Sequence, residues 1–208
     1  MCINLKTSIG AFLIGTISSL ILINSNNKEN KFIGNFILFY TFIQLFEALI
    51  YNNNLTIYSR LLLINLGLQG LVFMLLLNYY ITPINKIYIY ICAVISIFVT
   101  YKALQPDFKK ATTEGGMKWN FNIKPLFGTI FDISYILTIM YVIMIIAVVN
   151  YNNKLNNIIK LSFLLLTAYV ISIYVMQFNK ELVCSRNKPS IWCLSSAIVS
   201  PIMLFFKS

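Results

Sequence analysis

The chain has 208 residues, 59% of them hydrophobic and 11% charged, with a mean hydropathy of +0.78 and a formal net charge of +10. A soluble domain is roughly 45–50% apolar and about 25% charged, so this chain lacks the charge to cover a water-facing surface; disordered, collagen-like and small disulfide-stapled classes are excluded with it. What remains is an integral membrane protein whose main partner is the lipid bilayer.

A spanning helix needs about 20 mostly apolar residues, with a range near 17–25. Seven segments meet or approach this, which predicts an all-α, polytopic transmembrane helix bundle forming one domain over 1–208. The first runs from 7 to 23. Lys6 ahead of an apolar stretch also suits a secretory signal peptide, but no A-x-A-type site follows and the run is long for an h-region. Retention is expected, with six helices as the mature alternative. A polar break, 24–31, leads to the second span, 32–51, which Asn52, Asn53 and Asn54 interrupt. The third covers 60–77, a turn at Thr82-Pro83 follows, and the fourth covers 84–101. A long polar loop, 102–124, precedes the fifth span at 125–149; the sixth is 161–178 and the seventh, 191–206, is short and carries Pro201, which kinks a helix. Open backbone groups cannot face lipid, so each run is read as a helix and not as an open strand.

We call side A the face holding the N-terminus and the second, fourth and sixth loops, and side B the opposite face. Side A carries ten of the sixteen basic residues, five of them in the 102–124 loop, which makes it and the N-terminus cytoplasmic by the positive-inside rule. Two features point the other way. The sequon Asn54-Leu55-Thr56 and the pair Cys184 and Cys193, which flank the last loop and are candidates for a disulfide, also lie on side A, where glycosylation or oxidation would need an external or lumenal compartment. The charge count carries the expectation of a cytoplasmic N-terminus.

There is no histidine, which removes His-based acid–base pairs, Ser-His-Asp and Cys-His nucleophile systems and imidazole zinc sites. No phosphate loop or G-x-S-x-G elbow occurs either. No catalytic residue, metal or cofactor is expected, and an enzyme is the least favoured class. The basic residues are scattered singly through short loops, as suits headgroups, and no nucleic-acid surface is expected.

Ionisable and amide groups inside a membrane are expensive, and each is a site hypothesis. Tyr40, Gln44, Glu47 and Tyr51 in the second span recur at four, three and four residues and share one helical face. Arg60 opens the third span on the same side, with Asn65 and Gln69 one turn apart behind it, and Asp132 sits about two turns into the fifth. These residues predict a ligand or ion vestibule open to side A, closed toward side B by a dry half rich in Ile, Leu, Phe and Val. Blander roles stand beside this one. Glu47 can pair with Arg60, Asp132 can sit at a helix N-terminus, Asn65 and Gln69 can act as interhelical hydrogen-bond glue, and Trp192 with the tyrosines can form an interfacial belt.

The run Gln44-Leu45-Phe46-Glu47-Ala48, the loop element Lys118-Trp119-Asn120-Phe121 and the late Ser190-Ile191-Trp192-Cys193 resemble the uncharacterised multi-pass membrane proteins encoded by large DNA viruses of protists. The Asn-, Ile-, Lys- and Tyr-rich composition is similar to low-GC coding. A departure is Tyr51, where that family tends to place tryptophan after the Q-x-x-E element. The resemblance implies a viral or host endomembrane and no activity. Two roles compete: a small-solute or ion carrier or ligand-binding protein built around Glu47, and a structural or remodelling membrane protein that binds a protein partner through Lys118 and Trp119 of the 102–124 loop. Nothing in the sequence bears on oligomeric state.

Overall fold

The computed structural model describes residues 5–53, 55–106, 108, 110 and 133–150. Among the described residues the chain forms five helices: α1 Leu5–Ile23, α2 Lys28–Asn53, α3 Thr56–Tyr80, α4 Lys86–Leu104 and α5 Ile133–Asn150. The first four are long and apolar enough to cross a membrane. This is the part of the seven-span expectation that the described residues carry; the sixth and seventh expected spans, 161–178 and 191–206, lie outside them.

The helices run past the apolar limits read from the sequence. α2 begins at Lys28, four residues before its apolar run, and has 26 residues. At 1.5 Å per residue it is about 39 Å long, more than the roughly 30 Å of hydrocarbon it has to cross. The polar break therefore shrinks from 24–31 to 24–27, because hydropathy marks the edge of the hydrocarbon and not the end of backbone hydrogen bonding. The start is instead set by a cap: the Asn27 side chain accepts from the Glu29 N–H at 2.8 Å, and Glu29 places a carboxylate at the positive end of the helix. α4 starts the same way, with Asn85 accepting from the Ile87 N–H at 3.0 Å. The turn before it is closed from α3, where the Asn78 side chain accepts from the Ile84 N–H at 3.2 Å across Pro83.

Each helix packs on the next in the chain, and α3 touches α2, α4 and α5. The peripheral helices are inverted with respect to a soluble protein. On α1 the buried positions are Ser8, Ala11, Gly15, Ser18, Ser19 and Leu22, while Ile9, Leu13, Ile14, Ile17, Leu20 and Ile21 face outward. α4 buries Cys92, Ser96, Val99 and Ala103 and exposes Ile87, Tyr90, Val94, Ile97 and Tyr101. Small residues at spacings of three and four let backbones approach, and in lipid, where burial of apolar surface gives no drive, close packing is what holds helices together. A Cβ built on Gly15 would lie 2.1 Å from Cγ2 of Thr41 on α2, and one on Gly67 of α3 would lie 2.6 Å from Cγ1 of Val99 on α4. The Ser96 hydroxyl donates to the Gly67 carbonyl at 2.8 Å across that contact. Large apolar side chains facing outward on this scale suit lipid and not water.

Toward side B the α2–α3 interface is mainly aromatic, with the Asn35 amide donating to the Tyr80 hydroxyl at 3.4 Å and Asn30 buried near the start of α2. Phe73 of α3 stands edge-on to Phe32 and Phe36 of α2, with ring centroids 5.2 and 5.0 Å apart, and Leu22, Ile33, Met74 and Leu77 fill the space around them. Toward side A the same interface turns polar.

Candidate functional site

Of the α2 stripe, Tyr40 and Gln44 are buried and Glu47 is wholly buried, while Tyr51 at the helix end is half-buried. The face that carries them points into the molecule, a point on which periodicity alone is silent. Glu47 lies six residues before Asn53, so it is about 9 Å inside the helix end. It interacts with another group of the chain. Gln44 is one turn deeper, at 1% exposure, and neither its amide nitrogen nor its amide oxygen has a hydrogen-bond partner. Leaving such a group unsatisfied costs about 1–3 kcal/mol.

Gln44 and Glu47 have essentially no accessible surface, so on α2 the polar stripe is enclosed. Part of the reason is helix length. α2 and α3 continue to Asn53 and from Thr56, so these residues sit deeper than the apolar limits imply.

Asn65 and Gln69 are both buried on α3, and the structure gives them different neighbours. The Asn65 amide donates to the Phe39 carbonyl of α2 at 3.3 Å, whereas Gln69 accepts through Oε1 from the Tyr141 hydroxyl of α5. Each residue joins two helices through one end of its amide, leaving the Asn65 oxygen and the Gln69 nitrogen without hydrogen-bond partners. Gln44 and Asn65 each stand nine residues from the side-A ends of their helices, and the Asn65 amide reaches α2 at Phe39, five residues deeper than Gln44.

Arg60 turns to α4. Its Nη2 donates to the Gln105 carbonyl at 3.3 Å, and its guanidinium lies 5.9 Å from the Phe108 ring centroid, within cation–π range. These contacts tie Arg60 to the exit of α4. Asp132, Lys118, Trp119, Cys184, Cys193 and Asn54 lie outside the described residues. What the sequence reading missed is the pair of small-residue seams on α1 and α4. Their signal was present in Ser8, Ala11, Gly15 and Ser18, and in Cys92, Ser96 and Ala103, but it is carried by small side chains that hydropathy barely scores. The chain matches no protein-family model, no curated protein and no solved structure.

Proposed function

We propose that this protein is a carrier, or a ligand-binding membrane protein, for a small solute or ion, with its site on the enclosed polar stripe around Glu47. One observation carries the reading. The Gln44 amide is buried in the membrane-spanning part of α2 with both polar atoms unpartnered, a costly arrangement with no structural return of its own. An enclosed stripe bounded toward side B by Phe32, Phe36 and Phe73 suits a carrier, which holds its ligand out of contact with both compartments, better than a continuous aqueous pore. The wider frame of the proposal is a seven-span bundle with a cytoplasmic N-terminus in a viral or host endomembrane. The close α1–α2 seam supports keeping the first span.

A second reading, a structural membrane protein, draws on the bonds of Asn65, Ser96 and Tyr141, each of which joins two helices. Purified protein in liposomes with a trapped pH dye and a set of candidate solutes separates the two. Glu47→Gln keeps shape and removes charge. Hydrogen bonds to a charged group are worth about 1.5–3 kcal/mol, so on the carrier reading the variant loses roughly tenfold to a hundredfold of flux while its melting temperature holds. Wild-type vesicles that stay tight, together with a Glu47→Gln protein that melts well below wild type, would leave the structural reading standing.

A further inference from the structure

We propose that the side-A end of the α3–α4 pair binds an anionic phospholipid, whose phosphate is held by Arg60 with Lys102 as the second cation. This site is separate from the polar stripe of the carrier reading and begins from a charge held by neutral groups. The Gln105 carbonyl and the Phe108 ring that hold the Arg60 guanidinium carry no charge, and its Nε is buried without a hydrogen-bond partner. Lys102, in the last turn of α4, repeats the pattern, its ammonium lying 5.9 Å from the Phe98 ring centroid. Gln105 is three residues beyond Lys102, so both cations belong to one end of one helix pair. Taking a cation out of water is costly unless an opposite charge and full hydrogen bonding repay it. A partly buried guanidinium with an open N–H therefore calls for an anion.

Position identifies the anion. Arg60 stands four residues from the start of α3 and Lys102 two from the end of α4, about 6 and 3 Å inside the helix ends, at the level of lipid headgroups. Tyr101, next to Lys102, is exposed as an interfacial tyrosine is, and Ile97 and Leu104 are exposed on the same helix, offering apolar surface to acyl chains. A free anion gains only the cations, whereas a phospholipid gains the cations and this surface. The planar guanidinium fork matches phosphate oxygens, and basic residues between transmembrane helices suit anionic headgroups.

The test is the melting temperature of the full chain in neutral detergent, titrated with phosphatidylglycerol, with phosphatidylcholine of the same chain length, or with inorganic phosphate. Phosphatidylglycerol is expected to raise it by about 5–10 °C at about a hundredfold excess over its Kd, and the other two to do little. The phosphatidylglycerol midpoint should rise roughly tenfold in Arg60→Gln and roughly fivefold in Lys102→Gln. Arg60→Lys, which keeps the charge and loses the fork, should fall between Arg60→Gln and wild type. Lys28→Gln removes an equal charge at the exposed side-B start of α2 and should leave the midpoint unchanged. If Arg60→Gln does not fold, Arg60→Lys and Lys102→Gln carry the test, and wild-type midpoints in both overturn the site. No shift with phosphatidylglycerol means that the charge is met within the chain and overturns it outright. An equal shift with phosphatidylcholine overturns the anionic class, and an equal shift with inorganic phosphate makes the site one for free anions. A Lys28→Gln effect as large as that of Arg60→Gln reduces the binding to diffuse attraction and also overturns the proposal.

Discussion

Phe73→Ala is expected to lower the melting temperature by about 4–12 °C and to make vesicles leaky, the largest combined effect in the molecule. Phe73 is buried between Phe32 and Phe36, and its ring contributes both edge-on contacts that close the α2–α3 interface toward side B. In a water-soluble core a Phe→Ala truncation costs about 3–5 kcal/mol. Inside a bilayer the transfer part shrinks, because lipid tails are as apolar as the core, so the lost ring contacts and the cavity dominate and about 2–3 kcal/mol remains. The position adds a functional readout. If the aromatic cluster is the barrier below the polar stripe, its removal joins the stripe to side B, and dye-loaded vesicles leak before the protein unfolds. Differential scanning fluorimetry and dye release on one preparation check both halves. A stability loss with vesicles still tight would place the barrier elsewhere.

Gly67→Ala is expected to destabilise although alanine is the better helix former. The propensity gain is about 1 kcal/mol. Against it stands Val99, whose Cγ1 and Cβ lie 2.6 and 2.7 Å from the added methyl. Val is β-branched and its side chain has no rotamer freedom to retreat within a helix, so the helices separate and the 2.8 Å bond from Ser96 to the Gly67 carbonyl lengthens. Overpacking of this kind costs about 1–3 kcal/mol, which outweighs the gain, and Gly67→Leu goes further and prevents assembly. Gly10→Ala is the matched control. Nothing lies within 4 Å of its added Cβ, so it should raise stability by up to about 1 kcal/mol. Melting curves of the two variants should shift in opposite directions, and Val99→Ala should restore Gly67→Ala. Equal shifts would mean that the α3–α4 approach is not close.

Much of this fold was legible before any coordinates, for one physical reason. In lipid the backbone must satisfy itself, so a long apolar run can only be a helix, and the existence of the first four helices followed from hydropathy. Their ends did not follow. Asn27 caps a helix whose first turn is polar, which no apolar count shows, and Asn85 starts α4 two residues inside its apolar run. The α2 stripe was legible as a face, from the spacing of Tyr40, Gln44, Glu47 and Tyr51, and its burial adds the direction that periodicity lacks. The partners of its neighbours were not legible. Asn65 and Gln69 look equivalent at one turn apart, yet one serves α2 and the other α5, because a helix with three neighbours divides its faces among them. Nor was the contact of Arg60 with the exit of α4 legible, because the carbonyl that holds it lies 45 residues away in the chain.

The most direct measurement is cysteine accessibility at position 44. Gln44→Cys in a background where the four native cysteines are replaced by alanine would be exposed, in sealed vesicles of each orientation, to a membrane-impermeant thiol reagent. Cysteines at the exposed positions Lys110 and Asn26 report access to sides A and B. An enclosed stripe that opens toward side A predicts labelling of position 44 from side A alone, more slowly than at position 110, and protection by a transported solute. Labelling from side B, or from neither side under turnover conditions, would contradict the account.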